Sequence, residues 1–314
     1  MGPMNLHHLA PSGVFSAAAA RMSGISGALL RSLVARGECH PLHRGWYSVQ
    51  RPTSDKHRHR LRVTALLEEY AGLVMASHAS AVAVLDLPDE GIDWGTVHLM
   101  WRDPERPFRA FSRVHIHELV EHPRLHHRGQ TVDLGLAAVQ VGLHSQIGML
   151  VVADHCLRKG LTTSESLTAA ARSLRGHRGV TRAKAAVSWC DSRHESPGET
   201  LTAHVLRGLG YAFTPQLEIA RREHPGRSFY ADFHLDGTNV LVEFDGKVKY
   251  DPETNPDAAR ANFDEKLRED ELRRLGFVVV RLTRADLARP ALVRTRIEAA
   301  IRDSRPARPD LPLA

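Results

Sequence analysis

The chain has 314 residues, 42% of them hydrophobic and 25% charged, which supplies apolar material for two or three ordinary globular cores. Its 42 Lys and Arg exceed its 36 Asp and Glu, and the net charge of +6 favours a polyanionic partner, chiefly nucleic acid. No stretch reaches the roughly 18 apolar residues of a membrane span, no basic segment leads into an apolar run at the start, and Cys39, Cys156 and Cys190 never pair as C-x-x-C. A spanning helix, a secretory leader, a disulfide framework and a zinc ribbon are therefore not expected, and the expected location is the cytoplasm with no membrane partner.

In chain order, residues 1–50 read as helix, turn, helix and hairpin. "SGVFSAAAARM" is Ala-rich and helix-prone. After Gly24 a second helix starts at the N-cap Ser26, carries Leu29, Leu30, Leu33 and Val34 on one stripe, and ends at Gly37. "CHPLHRGWYSVQ" then supplies a hairpin turning at Gly45. This order is that of a winged helix-turn-helix, with Arg31 and Arg36 on the second helix and His43 and Arg44 at the wing tip as DNA-binding candidates. Arg51 to Arg62 form a basic linker into a helix.

Residues 51–192 alternate helical patterns ("HRLRVTALLEEYAGL", "DLGLAAVQVGL", "SESLTAAARSL") with strand-like runs ("GTVHLMW", "SRVHIHEL"). No glycine-rich nucleotide loop and no Ser/His/Asp arrangement appear, so this α/β middle domain reads as structural. The chain's 20 histidines are scattered. His7-His8 and His126-His127 lack helical ligand spacing, and His115 and His117 share a strand face without an evident third ligand, so no histidine metal site is expected.

Residues 193–303 read as helix, hairpin, charged helix, strand and helix, an αββαβα order. Residues 304–314 read as a disordered, Pro-rich tail. The first helix has Ser196 as N-cap, Pro197 at its first position and Glu199 three residues after the cap. In the hairpin "YADFHLDGTNVLVEFDGK", Leu235 facing Val240 across the turn gathers Ala231, Phe233, Val242 and Phe244 on one apolar face and sets Asp232 opposite Glu243. Opposed like charges destabilise a strand pair. Water, a nearby Lys or Arg, or a divalent cation would compensate them. Carboxylate oxygens suit Mg²⁺ (or Mn²⁺), so Asp232, Glu243 and Asp245 are the candidate metal ligands. With Lys247, and Lys266 as a second candidate lysine, they form a set suited to phosphodiester hydrolysis.

"YADFHL", "VLVEFDGKVKY" and "EKLREDELRRLGFVVVRLT" resemble the PD-(D/E)XK, or restriction-endonuclease-like, nuclease superfamily, nearest to its branch similar to very-short-patch-repair endonucleases. The resemblance implies that Glu199 is the helix acid, Asp232 and Glu243 the metal-binding pair, and it puts Asp245 where that family usually has lysine. "AAARMSGISGALLRSLVARGECHPLHRGWYSV" resembles the winged helix of type IV toxin–antitoxin antitoxins linked to abortive infection. Together these imply an α/β (α+β) protein acting as a Mg²⁺-dependent DNA endonuclease or nickase tethered by a winged helix. The alternative is a DNA-binding regulator of antitoxin type with an inactive nuclease-like domain, its partners a cognate toxin or a second copy. The fold does not by itself separate DNA from RNA as substrate.

Overall fold

The computed structural model describes residues 6–221, 226–246 and 268–304. The architecture is mixed α/β, with three sheets among the described residues. The chain divides into two compact units, Met1–Cys190 and Asp191–Ala314.

The first unit opens with β1 (Val14–Ser16), α1 (Ala17–Met22), α2 (Gly27–Ala35), β2 (His40–His43) and β3 (Trp46–Ser48). Ser16 and Ser26 cap the two helices by accepting the N–H groups of Ala19 and Leu29. β1 corrects the expected helix: Val14 and Phe15 are buried and pair with Ser48 and Tyr47, giving a sheet in the order β1-β3-β2. The β-branched and aromatic side chains gain more from that ladder than from a helix turn. Leu30 and Leu33 of α2 pack with Phe15, Ala20, Ile25 and Cys39.

α3 (Asp55–Glu69) begins at the N-cap Ser54, so the basic run expected as a linker is helical from Asp55 onward. Its Leu61 and Ala65 share a small core with Val14, Leu42 and Trp46, across the boundary expected near residue 50. β4 (Val74–Ala76), α4 (His78–Val84), β5 (Val97–Trp101), β6 (Arg109–Phe111) and β7 (Val114–His117) follow. Their sheet runs β4-β5-β7-β6, with β5 and β7 parallel. α5 (Leu134–Gly142), α6 (Gln146–Arg158), α7 (Ser164–Ser173) and α8 (Val180–Val187) complete the unit. Leu99, Ile116, Leu136, Met149, Leu150 and Leu167 lie in its largest core. Burial of each such side chain contributes roughly 1.5–3 kcal/mol.

The second unit contains α9 (Pro197–Gly208), β8 (Phe213–Ala220), β9 (Ser228–Leu235) and β10 (Val240–Phe244). Helical residues 268–274, β11 (Val278–Leu282), α10 (Arg284–Leu287) and α11 (Pro290–Asp303) follow. The expected αββαβα order lacks β8. Pro215 and Gln216 interrupt its pattern, and the sheet order β11-β10-β9-β8 puts it at an edge, where proline is tolerated.

β9 and β10 pair as Leu241↔His234 and Val242↔Phe233, the register that the turn dictates. Phe233, Leu235, Val240 and Val242 pack with Ala203 and Leu206 of α9 and with Val293 and Ile297 of α11. Ala231, expected on the same face, packs instead with Phe229, Leu241, Leu272, Leu275 and Phe277. The facing of β9 therefore changes at Asp232.

Candidate functional site: a carboxylate cluster where two strands part

That change of facing builds the site. The β9–β10 ladder stops at Phe233 and Val242. Two residues beyond Val242, the Phe244 N–H donates to Asp232 Oδ2 at 2.8 Å. A side-chain carboxylate thus occupies the place of a backbone acceptor, and β9 and β10 diverge around it. Register aligns Gln216 of β8 with Asp232, between the pairs Pro215↔Phe233 and Leu217↔Ala231. It aligns Glu243 with Arg281 on β11. Gln216 is held at φ 52°, a left-handed conformation uncommon for a side chain of its size.

Gln216 reaches the first turn of α9. Its Nε2 donates to Glu199 Oε2 at 3.0 Å, which also accepts the Glu195 N–H at 2.8 Å. Glu199 Oε1 accepts the Ser196 hydroxyl at 2.8 Å. The cap reading of Glu199 thus holds, with the variation that its carboxylate takes the N–H of Glu195, one residue before the N-cap. Gly198 makes the close approach possible. A Cβ there would lie 2.0 Å from the Phe244 ring, so only glycine lets α9 seat against the end of β10.

From the segment 268–274, Arg268 closes the gap. Its guanidinium donates to the Tyr230 carbonyl on β9 at 3.0 Å and to both oxygens of Glu243 on β10. Arg281 Nε stands 3.7 Å from Glu243 Oε2. Arg221 pairs with Glu271 at 2.9 Å and helps to anchor the same helical segment.

Asp232 is therefore set among acids. Burial raises its pKa to about 6; the Phe244 N–H opposes that rise, the charges of Glu199 and Glu243 add to it, and Arg268 opposes it. Among the described residues its Oδ1 takes part in none of these hydrogen bonds. Asp245 lies just past β10, where its N–H donates to the Leu282 carbonyl. Asp232, Glu243 and Asp245 do not bring three ligand atoms within 4.8 Å of one another; among the described residues only a histidine group does so. Lys247 and Lys266 lie outside the described residues.

The DNA-binding candidates divide into exposed and engaged residues. Arg31 and Arg44 are exposed. Arg36 is exposed yet tied down, with Nε 2.6 Å from Glu38 and Nη1 donating to Ser32 at 2.9 Å. His43 is not at a free wing tip. Its ring lies 6.2 Å from that of Trp46 and its Nε2 is 3.9 Å from Glu69 of α3. The β2–β3 hairpin packs on α3, which turns His43 toward Glu69.

The histidine group was not foreseen. His78, His98 and His117 stand on α4, β5 and β7 and bring their ligand atoms together. His98 and His117 are one step of alternation out of register, because His98 pairs with His115 and Met100 with His117. The available signal was a histidine on the same face of two strands that could pair in parallel. The third ligand comes from "ASHAS", in which neither charge nor periodicity marks a site.

No protein-family model matches the chain, and no curated protein matches it. Among solved structures the chain is similar to the RV2827C protein from Mycobacterium tuberculosis, with 15% identity and a TM-score of 0.37 over 63% of this chain and 78% of that one.

Proposed function

We propose that the protein is a metal-dependent endodeoxyribonuclease whose chemistry centres on Asp232, with a DNA-binding winged helix at its N-terminus. The observation that carries this reading is Asp232 itself. Its carboxylate is partly desolvated, shares its surroundings with Glu199 and Glu243, and has one oxygen that none of these hydrogen bonds among the described residues uses. Groups with perturbed protonation gather at functional sites. The element order α-β-β-β-α-β around a mixed sheet supports a restriction-endonuclease-like core.

The all-oxygen donor set fits Mg²⁺ or Mn²⁺. Asp232 and Glu243 would hold the ion, Glu243 by giving up part of its contact with Arg268. Bound there, a divalent cation supplies charge for a scissile phosphate and a more acidic water. The chain's own residues have separate tasks. Glu199 and Gln216 fix the edge of the cluster, and the Phe244 N–H orients Asp232. Arg268, once released from Glu243, is available to a phosphate oxygen as a fork of donors.

The test is conversion of supercoiled plasmid with Mg²⁺ or Mn²⁺ and with chelator. Asp232→Asn keeps an oxygen to accept the Phe244 N–H while removing the charge. The wild type is expected to nick or linearise DNA only with metal, and D232N to lose at least ~100-fold in rate. Cleavage undiminished in D232N, or none by the wild type with either metal, overturns the assignment.

A second reading has its own observation. Arg268 and Arg281 already neutralise Glu243, so the sheet needs no cation for stability. On that reading the chain is an antitoxin-type DNA-binding regulator, whose second unit binds a partner such as a cognate toxin. It predicts DNA binding that depends on Arg31 and Arg44 without any cutting.

A further inference from the structure

We propose that His78, His98 and His117 form a three-histidine site for a transition-metal ion of the Zn²⁺ class. The site lies wholly within Met1–Cys190 and shares no residue with the acidic cluster around Asp232.

Three separate elements converge to make it. Parallel pairing of β5 and β7 sets His98 and His117 on the same face of the sheet. The Ser77 N–H donates to the His98 carbonyl at 3.1 Å and extends the β4–β5 pairing by one residue. The chain then turns sharply, with His78 at φ 50° and its N–H donated to the side chain of the buried Gln140 at 3.1 Å. This turn lays the His78 ring over the other two, at 4.6 Å from His98 and 4.3 Å from His117, within 24° of parallel. Left-handed backbone in a residue other than glycine is found where surrounding structure enforces it, and such positions gather at functional sites. Here a buried amide enforces it.

The chemistry of the donors selects the metal. His98 Nδ1 and His117 Nε2 are hydrogen-bonded to each other at 3.0 Å, through a proton that a bound cation would replace. Two ligands of a tetrahedral Zn²⁺ with bonds of about 2.0–2.1 Å are separated by about 3.4 Å, so these two nitrogens need to part only slightly. Nitrogen donors suit Zn²⁺, Cu²⁺, Ni²⁺ or Fe²⁺ and not Mg²⁺. Ser77 Oγ is 3.1 Å from His78 Nδ1, the kind of outer hydrogen bond that fixes a ligating ring.

The rings are sheltered from solvent: His78 is only 4% exposed, and His98 and His117 are half-buried. As a packing unit alone, such a cluster places polar rings in an otherwise apolar core. As a ligand set it presents three convergent imidazole donors to a cation. Three protein ligands leave a fourth position, the pattern of an open rather than a closed site. The exposed His144 ring, 6.1 Å from that of His98, is the nearest further imidazole on the α5–α6 side.

The experiment uses the full chain with any affinity tag removed and metal stripped by chelator. Titration with Zn²⁺ and with Co²⁺ as a visible probe is expected to show one equivalent bound per chain through nitrogen. X-ray absorption at the metal edge should report an imidazole shell. His98→Asn with His117→Asn should weaken binding by at least 10-fold, while His126→Ala, an exposed histidine, should leave it unchanged. No stoichiometric uptake, undiminished uptake in H98N/H117N, or a shell of oxygen donors only would overturn the site. Should near-ultraviolet dichroism show the double variant unfolded, the absorption spectrum of the wild type decides alone, for or against. Cleavage assays bear on the acidic cluster only, so the two proposals fail separately.

Discussion

Asp232 couples the proposed activity to stability through its proton. The unfolded chain releases that proton near pH 3.8, the folded chain only near 6. Between those values the native state holds a proton that the unfolded state has lost. The stability contribution is therefore complete below about pH 3.8 and is lost as pH rises through 6. Asp232→Asn has nothing to ionise. It should match the wild type in acid and exceed it at pH 7 by on the order of 1–2 kcal/mol, after allowance for partial exposure. Urea unfolding at pH 4 and pH 7 checks this, and a gain in stability with a loss of cleavage would mark Asp232 as strained for function. Glu243 bears on stability through its ion pairs. It is only 8% exposed and relies on guanidinium partners. Arg268→Met should cost about 2–4 kcal/mol by leaving a nearly buried carboxylate with Arg281 alone, and adding Glu243→Gln should restore most of it. Equilibrium unfolding of the single and double variants measures both terms.

At the scale of elements, the site depends on how closely α9 meets β10. Gly198→Ala adds one methyl where the Phe244 ring already stands. Although alanine favours helix, the clash should lower stability by about 1–3 kcal/mol and shift Glu199 away from Gln216. Adding Phe244→Leu should recover part of the loss, and thermal unfolding of the pair decides it. Much at this scale was legible from local pattern. Ser26 and Ser196 cap helices where the sequence places them. The hairpin register follows from alternation and a short turn. β8 was not legible, because Pro215 and the left-handed Gln216 break its alternation, and only its edge position makes them tolerable. The side switch at Ala231 was equally hidden, since it depends on Asp232 taking a backbone N–H from the neighbouring strand.

At the scale of the whole molecule, excess positive charge and a division into two compact units set what can be measured. If the exposed Arg31 and Arg44 contact phosphates, Arg31→Ala with Arg44→Ala should reduce the slope of log affinity for DNA against log salt by about 2, with little change in sequence preference. A fluorescence titration at several salt concentrations measures it, and an unchanged slope would remove these arginines from the interface. Among the described residues no helix is long and apolar enough to cross a membrane.

Sequence alone determined what short-range chemistry dictates: where helices begin, how the hairpin pairs, and that Asp232 and Glu243 fall on opposite strands. Tertiary structure alone decided how those acids are answered, because Arg268 meets Glu243 across 25 positions of chain. It also decided that His78, His98 and His117 meet at all. Caps and registers are set by neighbours along the chain, within reach of pattern reading. Ion pairs and ligand clusters are set by which distant elements pack together, and packing is a property of the assembled core.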